Sequence, residues 1–460
     1  MTAAETTPAP TIVWLRDDLR VADNPALVAA VERGGPVVVL YLLDEVSPGI
    51  RPLGSASRWW LHHSLEALAR AVAVLGGRLV LRRGAAAEEL PRLVNELAAG
   101  AVVWNRRYGA SRDIDAALKI DLRGSGVEVE SFAANLLFEP WTITTGDGNP
   151  YRVFTPFWRA CLARGVARTP LSVPSAIVSP RMAVASDSLD AWKLRPTAPD
   201  WSAGIREKWT PGEDAAHDAL ENFATDILEN YHRRDEPGID STSGLSPYLR
   251  FGELSPFQVW HRLHAPLNPA AQKNAAHFLS EIGWREFNWN ILFFSPELHT
   301  KNYRPAFDAF PWRTDRERHL RAWQHGHTGI PLVDAGMREL WQTGVMHNRI
   351  RMVTASFLIK NLLIDWRVGE AWFWDTLVDA DEASNPANWQ WVAGSGADAA
   401  PYFRVFNPLL QADKFDKQRR YVTRWVPEVD DANYARPIVD LKLSRQDALG
   451  AYDEMKAATA

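Results

Sequence analysis

At 460 residues the chain is too long for one ordinary core, and two domains are expected. A net charge of −5 excludes a general polyanion binder, although a locally basic face can still meet phosphate. Cys161 is the only cysteine, so intramolecular disulfides are excluded and no metal site is expected.

The opening, MTAAETTPAP, lacks a basic segment followed by an apolar one, and no apolar run is long enough to span a bilayer. A soluble, cytoplasmic, monomeric protein without a membrane partner is the expectation. Fourteen of the 21 tryptophans lie from Trp201 onward, so whatever needs indoles sits mostly in the second half.

In chain order, apolar runs at 11–15, 36–43, 78–81, 101–104 and 127–131 read as strands. Amphipathic stretches at 24–32, 57–75, 85–98 and 111–123 read as helices between them. The strands carry no polar alternation, which predicts a doubly wound parallel sheet of five strands covered on both faces. Ligands on such sheets sit beyond the carboxyl ends of the strands. Those ends carry Arg16-Asp17-Asp18, Asp44-Glu45 and Asn105-Arg106-Arg107, either a binding rim or solvated loops. No GxGxxG follows the first strand, so a dinucleotide fingerprint is absent.

From residue 132 to about 209 periodicity fades among prolines, which predicts a connector on the surface. Its middle, YRVFTPFWRACL, is aromatic enough to dock as a short helix. Beyond it, helical periods cover 215–231, 256–263, 270–294, 316–325, 331–344, 347–361 and 368–377, with no convincing strand. The fold class is therefore α/β plus all-α: an α/β domain over 1–131, a connector over 132–209 and a helical domain over 210–460. A basic, aromatic stretch, KFDKQRRYVTRWVPE, caps the helical domain.

Four polar-aromatic clusters stand out in the helical half. DADEASNPANWQWVAGSG places Asp379, Asp381 and Asn385 before Trp389 and Trp391. Acids and amides beside indoles suit a planar heteroaromatic ring, or a buried polar network with aromatic packing. STSGLSPYLRFGELSP sets Thr242, Ser243 and Ser246 around Gly244, which reads as an anion site or as a plain cap. FLSEIGWREF puts Glu281, Trp284 and Arg285 within two turns, where Glu281 and Arg285 suit a surface ion pair. MHNRIRM crowds Asn348, Arg349, Arg351 and Met352 on an otherwise apolar helix, and an arginine there needs an anionic partner such as Asp379 or Asp381.

With these motifs in order, and with VWLRDDLRVADNPAL, TPFWRA and GIPLVDAGMREL, the chain resembles the photolyase/cryptochrome family over nearly its whole length. Within it, the resemblance is to microbial photolyases acting on cyclobutane pyrimidine dimers. The resemblance implies FAD bound in a U-shape in the helical domain. It assigns Tyr231, Thr242, Ser243, Leu245 and Ser246 to the adenine and pyrophosphate side, and Phe278 to the cofactor site as a whole. Arg285 and Asn348 match further FAD contacts. Arg351, paired to Asp379, matches the arginine beside the ring, Asp381 the acid at the polar edge, and Asn385 the residue facing N5. Many relatives have Arg where this chain has Gly244.

Glu281, Asn348, Met352, Trp284 and Trp391 match the dimer pocket, and Trp389, Trp366 and Trp312 the electron relay. Asn385 is the photolyase-like residue, where plant cryptochromes carry Asp and animal ones Cys. Relatives acting on the six-four photoproduct carry His in place of Met352. The implied reaction is light-driven repair: excited reduced flavin donates an electron to a dimer flipped out of DNA, the ring splits, and the electron returns. Arg233, Lys414 and Arg419 are candidates for phosphate contacts with UV-damaged DNA.

The N-terminal domain matches the family's antenna domain. Methenyltetrahydrofolate is the expected second chromophore, with a deazaflavin or a flavin as alternatives. Asp44 and Glu45 are candidate acceptors for a pterin's donor edge, although NRRYGASRD after Trp104 departs from the pattern of well-known folate-binding members. The alternatives to repair are a cryptochrome-like photoreceptor and a dark flavoprotein oxidoreductase. The second lacks a nicotinamide fingerprint.

Overall fold

The computed structural model describes residues 8–400 and 403–459. Residues 1–7, part of the opening in which an export leader was sought, lie outside the described residues, as do Pro401 and Tyr402.

Strands β1 (Thr11–Leu15), β2 (Val37–Leu43), β3 (Leu79–Arg83), β4 (Ala101–Asn105) and β5 (Glu128–Phe132) form one parallel sheet in the order β3-β2-β1-β4-β5. Helices α1 (Pro25–Glu32), α2 (Ser55–Val74), α3 (Ala86–Leu97) and α4 (Ser111–Gly124) connect them. β1, β2 and β4 are buried at every position, which is why they read as unbroken apolar runs. Alternate side chains then serve two different cores. Ile12, Trp14, Leu40, Val102 and Trp104 pack with Leu90 of α3 and Leu118 of α4. Val13, Leu15, Val39, Tyr41 and Val103 belong to a second core that continues through α2 into the helical half.

The next element is α5 (Phe154–Arg164), followed by α6 (Ala203–Lys208) and α7 (Glu213–Asn222). Short α8 (Ser246–Phe251), α9 (Pro256–His264) and the long α10 (Pro269–Phe294) come next. Then follow α11 (Glu317–Gln324), α12 (Pro331–Thr343), α13 (Asn348–Ser356), α14 (Trp366–Thr376) and α15 (Ser384–Ala393). α16 (Pro408–Phe415), α17 (Arg420–Trp425) and α18 (Leu441–Thr459) complete the chain, and no strand follows β5 among the described residues.

Two stretches expected as single helices are not. The stretch 215–231 is α7, then a π turn at Phe223–Ile227, then a 3-10 turn at Leu228–Arg233. Buried Asn274 of α10 donates to the carbonyls of Leu228 and Glu229, both at 2.9 Å, so a tertiary donor satisfies what the helix leaves open. Likewise α13 gives way to a π turn at Phe357–Asn361.

The RDDLR segment after β1 joins the two halves. Leu19 N donates to Phe251 O at 3.0 Å, and Arg20 Nη1 to Gly252 O at 2.9 Å. Gly252 has φ +64°, and a Cβ there would meet Asp17 O at 2.1 Å, so only glycine permits this approach.

Candidate functional site

Helix α13 begins at a cap made by His347, whose Nδ1 accepts from Arg349 N at 3.2 Å. Burial lowers the His347 pKa to about 4, which keeps that nitrogen free to accept. The cap sets the phase of the helix. Asn348 and Met352 fall one turn apart on one face, exposed and half-buried respectively, and Arg351 lies beside them.

Arg351 Nη2 donates to Asp379 Oδ2 at 2.8 Å, and Arg351 Nε to Met346 O at 2.7 Å. Ser246 Oγ donates to the same Asp379 oxygen at 2.7 Å. Three motifs distant in sequence therefore converge on one carboxylate. Its side chain is only 4% exposed, yet the other oxygen, Oδ1, has no partner. A buried unpaired acceptor costs about 1–3 kcal/mol, so a donor at this position is worth that much to a ligand. A flavin ring N–H is such a donor, and the residues present fit that group.

Asp381 Oδ1 accepts from the amides of Ala383 and Ser384 as the chain enters α15. Asn385, buried in the first turn of α15, donates from Nδ2 to Glu370 Oε1 at 2.8 Å and to Glu370 O at 3.1 Å. Thr242 and Ser243 are half-buried, Gly244 and Ser246 exposed, and Leu245 buried as the anchor of the loop. A Cβ at Gly244 would meet nothing within 4 Å, so the backbone there faces open space.

Tyr231, Phe278 and Glu281 form a second group. The Tyr231 and Phe278 rings meet edge to face at 5.4 Å. Arg234 Nη1 donates to the Tyr231 hydroxyl at 3.2 Å and pairs with Glu281 Oε1 at 2.7 Å. The ion pair expected within α10 is not formed: Arg285 turns instead to Asn135 O at 2.8 Å and faces the cleft below the sheet. Trp284 and Trp391 line one small pocket with Asn388, Gly396 and Ala397. Phe154 of α5 stacks on Trp284 at 3.9 Å, and Trp391 Nε1 donates to Asp398 O at 3.1 Å, so both indoles are held.

Trp366 is fully buried at the start of α14, Trp389 is buried on α15, and Trp312 is half-buried. The tip of the Trp389 ring lies where a Cβ on Gly369 would be, three residues after Trp366. Arg313 N, next to Trp312, donates to Leu363 O, three residues before Trp366.

Between the sheet and the helical half lies a cleft lined by Arg16, Asp17, Asp44, Glu45, Arg107 and Glu382 among others. It opens at the carboxyl ends of β1, β2 and β4, where such sheets bind ligands. Asp44 and Glu45 line it, but both are engaged. Asp44 accepts from Ser47 N, Ser47 Oγ and Ala86 N at 2.9, 2.6 and 3.0 Å. Burial opposes its charge, but these hydrogen bonds prevail and hold its pKa below the ordinary range. Glu45 pairs with Arg58 and with Arg83. Glu382 makes no hydrogen bond among the described residues, and burial raises its pKa.

Arg233 pairs with Glu236 and Arg419 with Asp430, both on the surface, and Lys414 lies over the Phe415 ring. Sequence reasoning missed Glu370, Arg234, Arg51 and Glu382. The signal for Glu370 was an acid in an otherwise aromatic helix, WRVGEAWFW.

The pattern described as "DNA photolyase" matches residues 11–175, and that of the "FAD binding domain of DNA photolyase" matches residues 278–433. The chain is 50% identical to the deoxyribodipyrimidine photo-lyase of Agrobacterium fabrum, over 98% of this chain and 99% of that one. It is 38% identical to cryptochrome-1 of Arabidopsis thaliana, over 91% of this chain and 63% of that one. Among solved structures, a bacterial class III photolyase from Agrobacterium tumefaciens superposes with a TM-score of 0.95 at 48% identity, covering 99% of each chain. An archaeal photolyase from Sulfolobus tokodaii, described with two FAD molecules, superposes at 0.82 with 27% identity, covering 96% of this chain and 99% of that one. By these similarities the chain belongs to the DNA photolyase family.

Proposed function

We propose that this chain is a light-driven carbon–carbon lyase that splits cyclobutane pyrimidine dimers in DNA, with FAD as its cofactor. The observation that carries this reading is Asp379, a buried carboxylate with one oxygen unpartnered, fixed by Arg351 and Ser246. The chemistry that bound FAD supplies is electron donation on illumination and recovery of the electron afterwards.

The protein's own part is to hold and orient. Asp379 and Arg351 grip the ring's hydrogen-bonding edge, with Asp381 beyond them. Asn385, its amide N–H₂ turned to Glu370, would offer Oδ1 to the ring near N5. Tyr231, Thr242, Ser243, Leu245, Ser246, Phe278 and Asn348 enclose the rest of the cofactor, whereas Arg285 faces the cleft below the sheet.

A dimer flipped from the duplex enters between Trp284 and Trp391, which exclude water and stack on its bases. Glu281, Asn348 and Met352 line the lesion side, and Glu281 hydrogen-bonds the bases where negative charge develops. Trp389, Trp366 and Trp312 form the path that recharges the cofactor from the surface; the first two are buried and Trp312, half-buried, is the member nearest solvent. Arg233, Lys414 and Arg419 meet the phosphates. The two arginines give up exposed ion pairs, which cost little to break, to do so.

The cleft below the sheet is the antenna site in this reading. Methenyltetrahydrofolate fits its chemistry best. Glu382 offers an unengaged acceptor for a pterin's donor edge, which Asp44 and Glu45 no longer can, and the arginines suit an acidic tail.

The test is repair of a thymine-dimer oligonucleotide by the purified, flavin-loaded protein, in light and in darkness. Light-dependent loss of the dimer is expected. No repair in light by reduced protein would move the reading to a cryptochrome-like photoreceptor, for which the similarity to cryptochrome-1 gives the precedent.

A further inference from the structure

Helix α2 carries His62, His63 and Glu66. The spacings i,i+4 and i,i+3 bring both rings to the one carboxylate. The ligand-capable atoms of the three residues lie within 4.8 Å of one another. His63 Nδ1 is 2.9 Å from Glu66 Oε2, and His62 Nε2 is 3.4 Å from Glu66 Oε1. A second carboxylate arrives from the connector: Asp190 Oδ1, on the 3-10 turn Leu189–Trp192, is 3.9 Å from His62 Nε2. The decisive member is His62. Its side chain is 1% exposed, yet neither ring nitrogen makes a hydrogen bond. An imidazole buried this way leaves a donor and an acceptor unsatisfied, at a cost in free energy, unless something outside the chain takes them. Neither the flavin site nor the lesion pocket uses any of these groups.

We propose that His62, His63 and Glu66 bind one divalent transition-metal ion of the zinc class, with Asp190 as fourth ligand. Ligands about 2.0–2.2 Å from a tetrahedral ion stand about 3.3–3.6 Å from one another. The separations of 2.9, 3.4 and 3.9 Å lie around that value, while the His62, His63 and Glu66 ligand atoms spread to as much as 4.8 Å, so side-chain rotation of Glu66 and a swing of the exposed Asp190 are what closing the site requires. Two imidazoles with carboxylates suit zinc and its neighbours, whereas calcium and magnesium take oxygen alone. The expectation of no metal rested on the single cysteine, and an imidazole–carboxylate site needs no thiolate. Trp59 packs edge to face on the His63 ring at 4.7 Å and fixes its plane. Asp190 now pairs with Arg195 at 2.8 Å on the surface, an interaction that exchanges cheaply.

The ion would tie the connector to the α/β layer. Trp192, two residues after Asp190, already lies against Tyr41 of β2 at 6.1 Å and donates to Asp187 at 3.0 Å. A metal at His62 adds a second anchor, to α2.

The test uses untagged, flavin-loaded protein stripped with a chelator, then titrated with ZnCl₂ in competition with a chromogenic chelator. One tightly bound equivalent is expected, with affinity falling at least tenfold in His63→Ala and in Glu66→Gln, and less in Asp190→Asn. Both His63 and Glu66 are partly exposed, so these variants should fold, checked by unchanged circular dichroism and flavin content. Zinc should raise the Tm of the parent and not that of the double variant carrying both His63→Ala and Glu66→Gln. Parent and double variant binding zinc alike, or the parent binding none, overturns the site. Parent-like affinity in Asp190→Asn overturns the tie to the connector.

Discussion

Asn385 Nδ2 donates to Glu370 Oε1 at 2.8 Å, so one helix of the site fixes the amide carried by the next. Glu370 is itself clamped by Arg51 through two bonds of 2.7 and 2.9 Å, and Arg51 lies over the Trp374 ring at 4.1 Å. The order is thus α/β layer, α14, α15. With Nδ2 engaged, the end of the amide left to meet a ligand is Oδ1, an acceptor.

Asn385→Asp tests that arrangement. A carboxylic acid at this position can supply a proton that the parent amide cannot readily give. FAD should stay bound, because Asp379 and Arg351 are untouched. Illumination should then build up a red-absorbing protonated form of the cofactor that the parent accumulates less. Absorption spectra recorded during illumination decide it, and identical spectra would take Asn385 away from N5.

Trp366→Phe keeps most of the side-chain volume but removes an oxidisable indole. It also removes the bond from Trp366 Nε1 to Asn302 Oδ1 at 2.9 Å, which predicts a stability loss of about 1–2 kcal/mol. Photoreduction of oxidised protein should slow greatly, while repair by chemically pre-reduced protein should persist. If both activities fall together, Trp366 serves packing and not electron transfer.

The α/β layer was legible because buried strands and amphipathic helices announce themselves by period. β1 and β4 were read to within one residue. α18 was not read, because its apolar face is mostly small: Ala448, Ala451 and Met455 are buried against Phe307, Phe310 and Phe403. In the site, motif chemistry left Asp379 or Asp381 as the partner of Arg351, and the bond from Ser246 to Asp379 was not read. Nor was the Glu281 partner. Sequence spacing favoured Arg285 one turn away, but Arg285 finds a carbonyl on Asn135 and Arg234 supplies the ion pair instead. Such partners are set by tertiary distance, which no local period encodes. Asp44 shows the reverse error: its position at a strand end was right, but its acceptor capacity is taken up by the start of α3.

Stability should fall as pH rises from neutral to alkaline. Burial pushes Glu253 up to about 8 and Glu213 up to about 7, from an ordinary 4.5. Between about pH 4.5 and about pH 8 these two groups bind more protons in the folded chain; histidines lowered by burial, such as His347, oppose them only below about pH 6.5, so the slope of stability against pH is negative above that. Trp60 Nε1 donates to Glu253 Oε2 at 3.1 Å, a bond that a neutral amide can still accept. Glu253→Gln should flatten the slope and stabilise the protein at the alkaline end by about 1–3 kcal/mol. Thermal melts at about pH 7 and about pH 9 measure this, and a parent more stable at the alkaline end would contradict it.

Glu281 separates repair from a structural role. Its carboxylate pairs with Arg234 at 2.7 Å, and the two side chains are 29% and 25% exposed. A pair this open to water is worth little, so Glu281→Ala should cost roughly 0–1 kcal/mol of stability. Arg234 keeps its bond to the Tyr231 hydroxyl, so FAD should remain bound. Affinity for damaged DNA should change little as well, because phosphate contacts supply most of it. The yield of repair per absorbed photon should nevertheless drop, since the group that stabilises charge on the cleaving dimer is gone. Glu281→Gln retains a hydrogen-bond donor and should lose less than Glu281→Ala. The measurement is the quantum yield on a thymine-dimer oligonucleotide with fully reduced protein, for the parent and both variants. A yield in Glu281→Ala equal to the parent's would remove Glu281 from the lesion pocket and leave it as the partner of Arg234 alone.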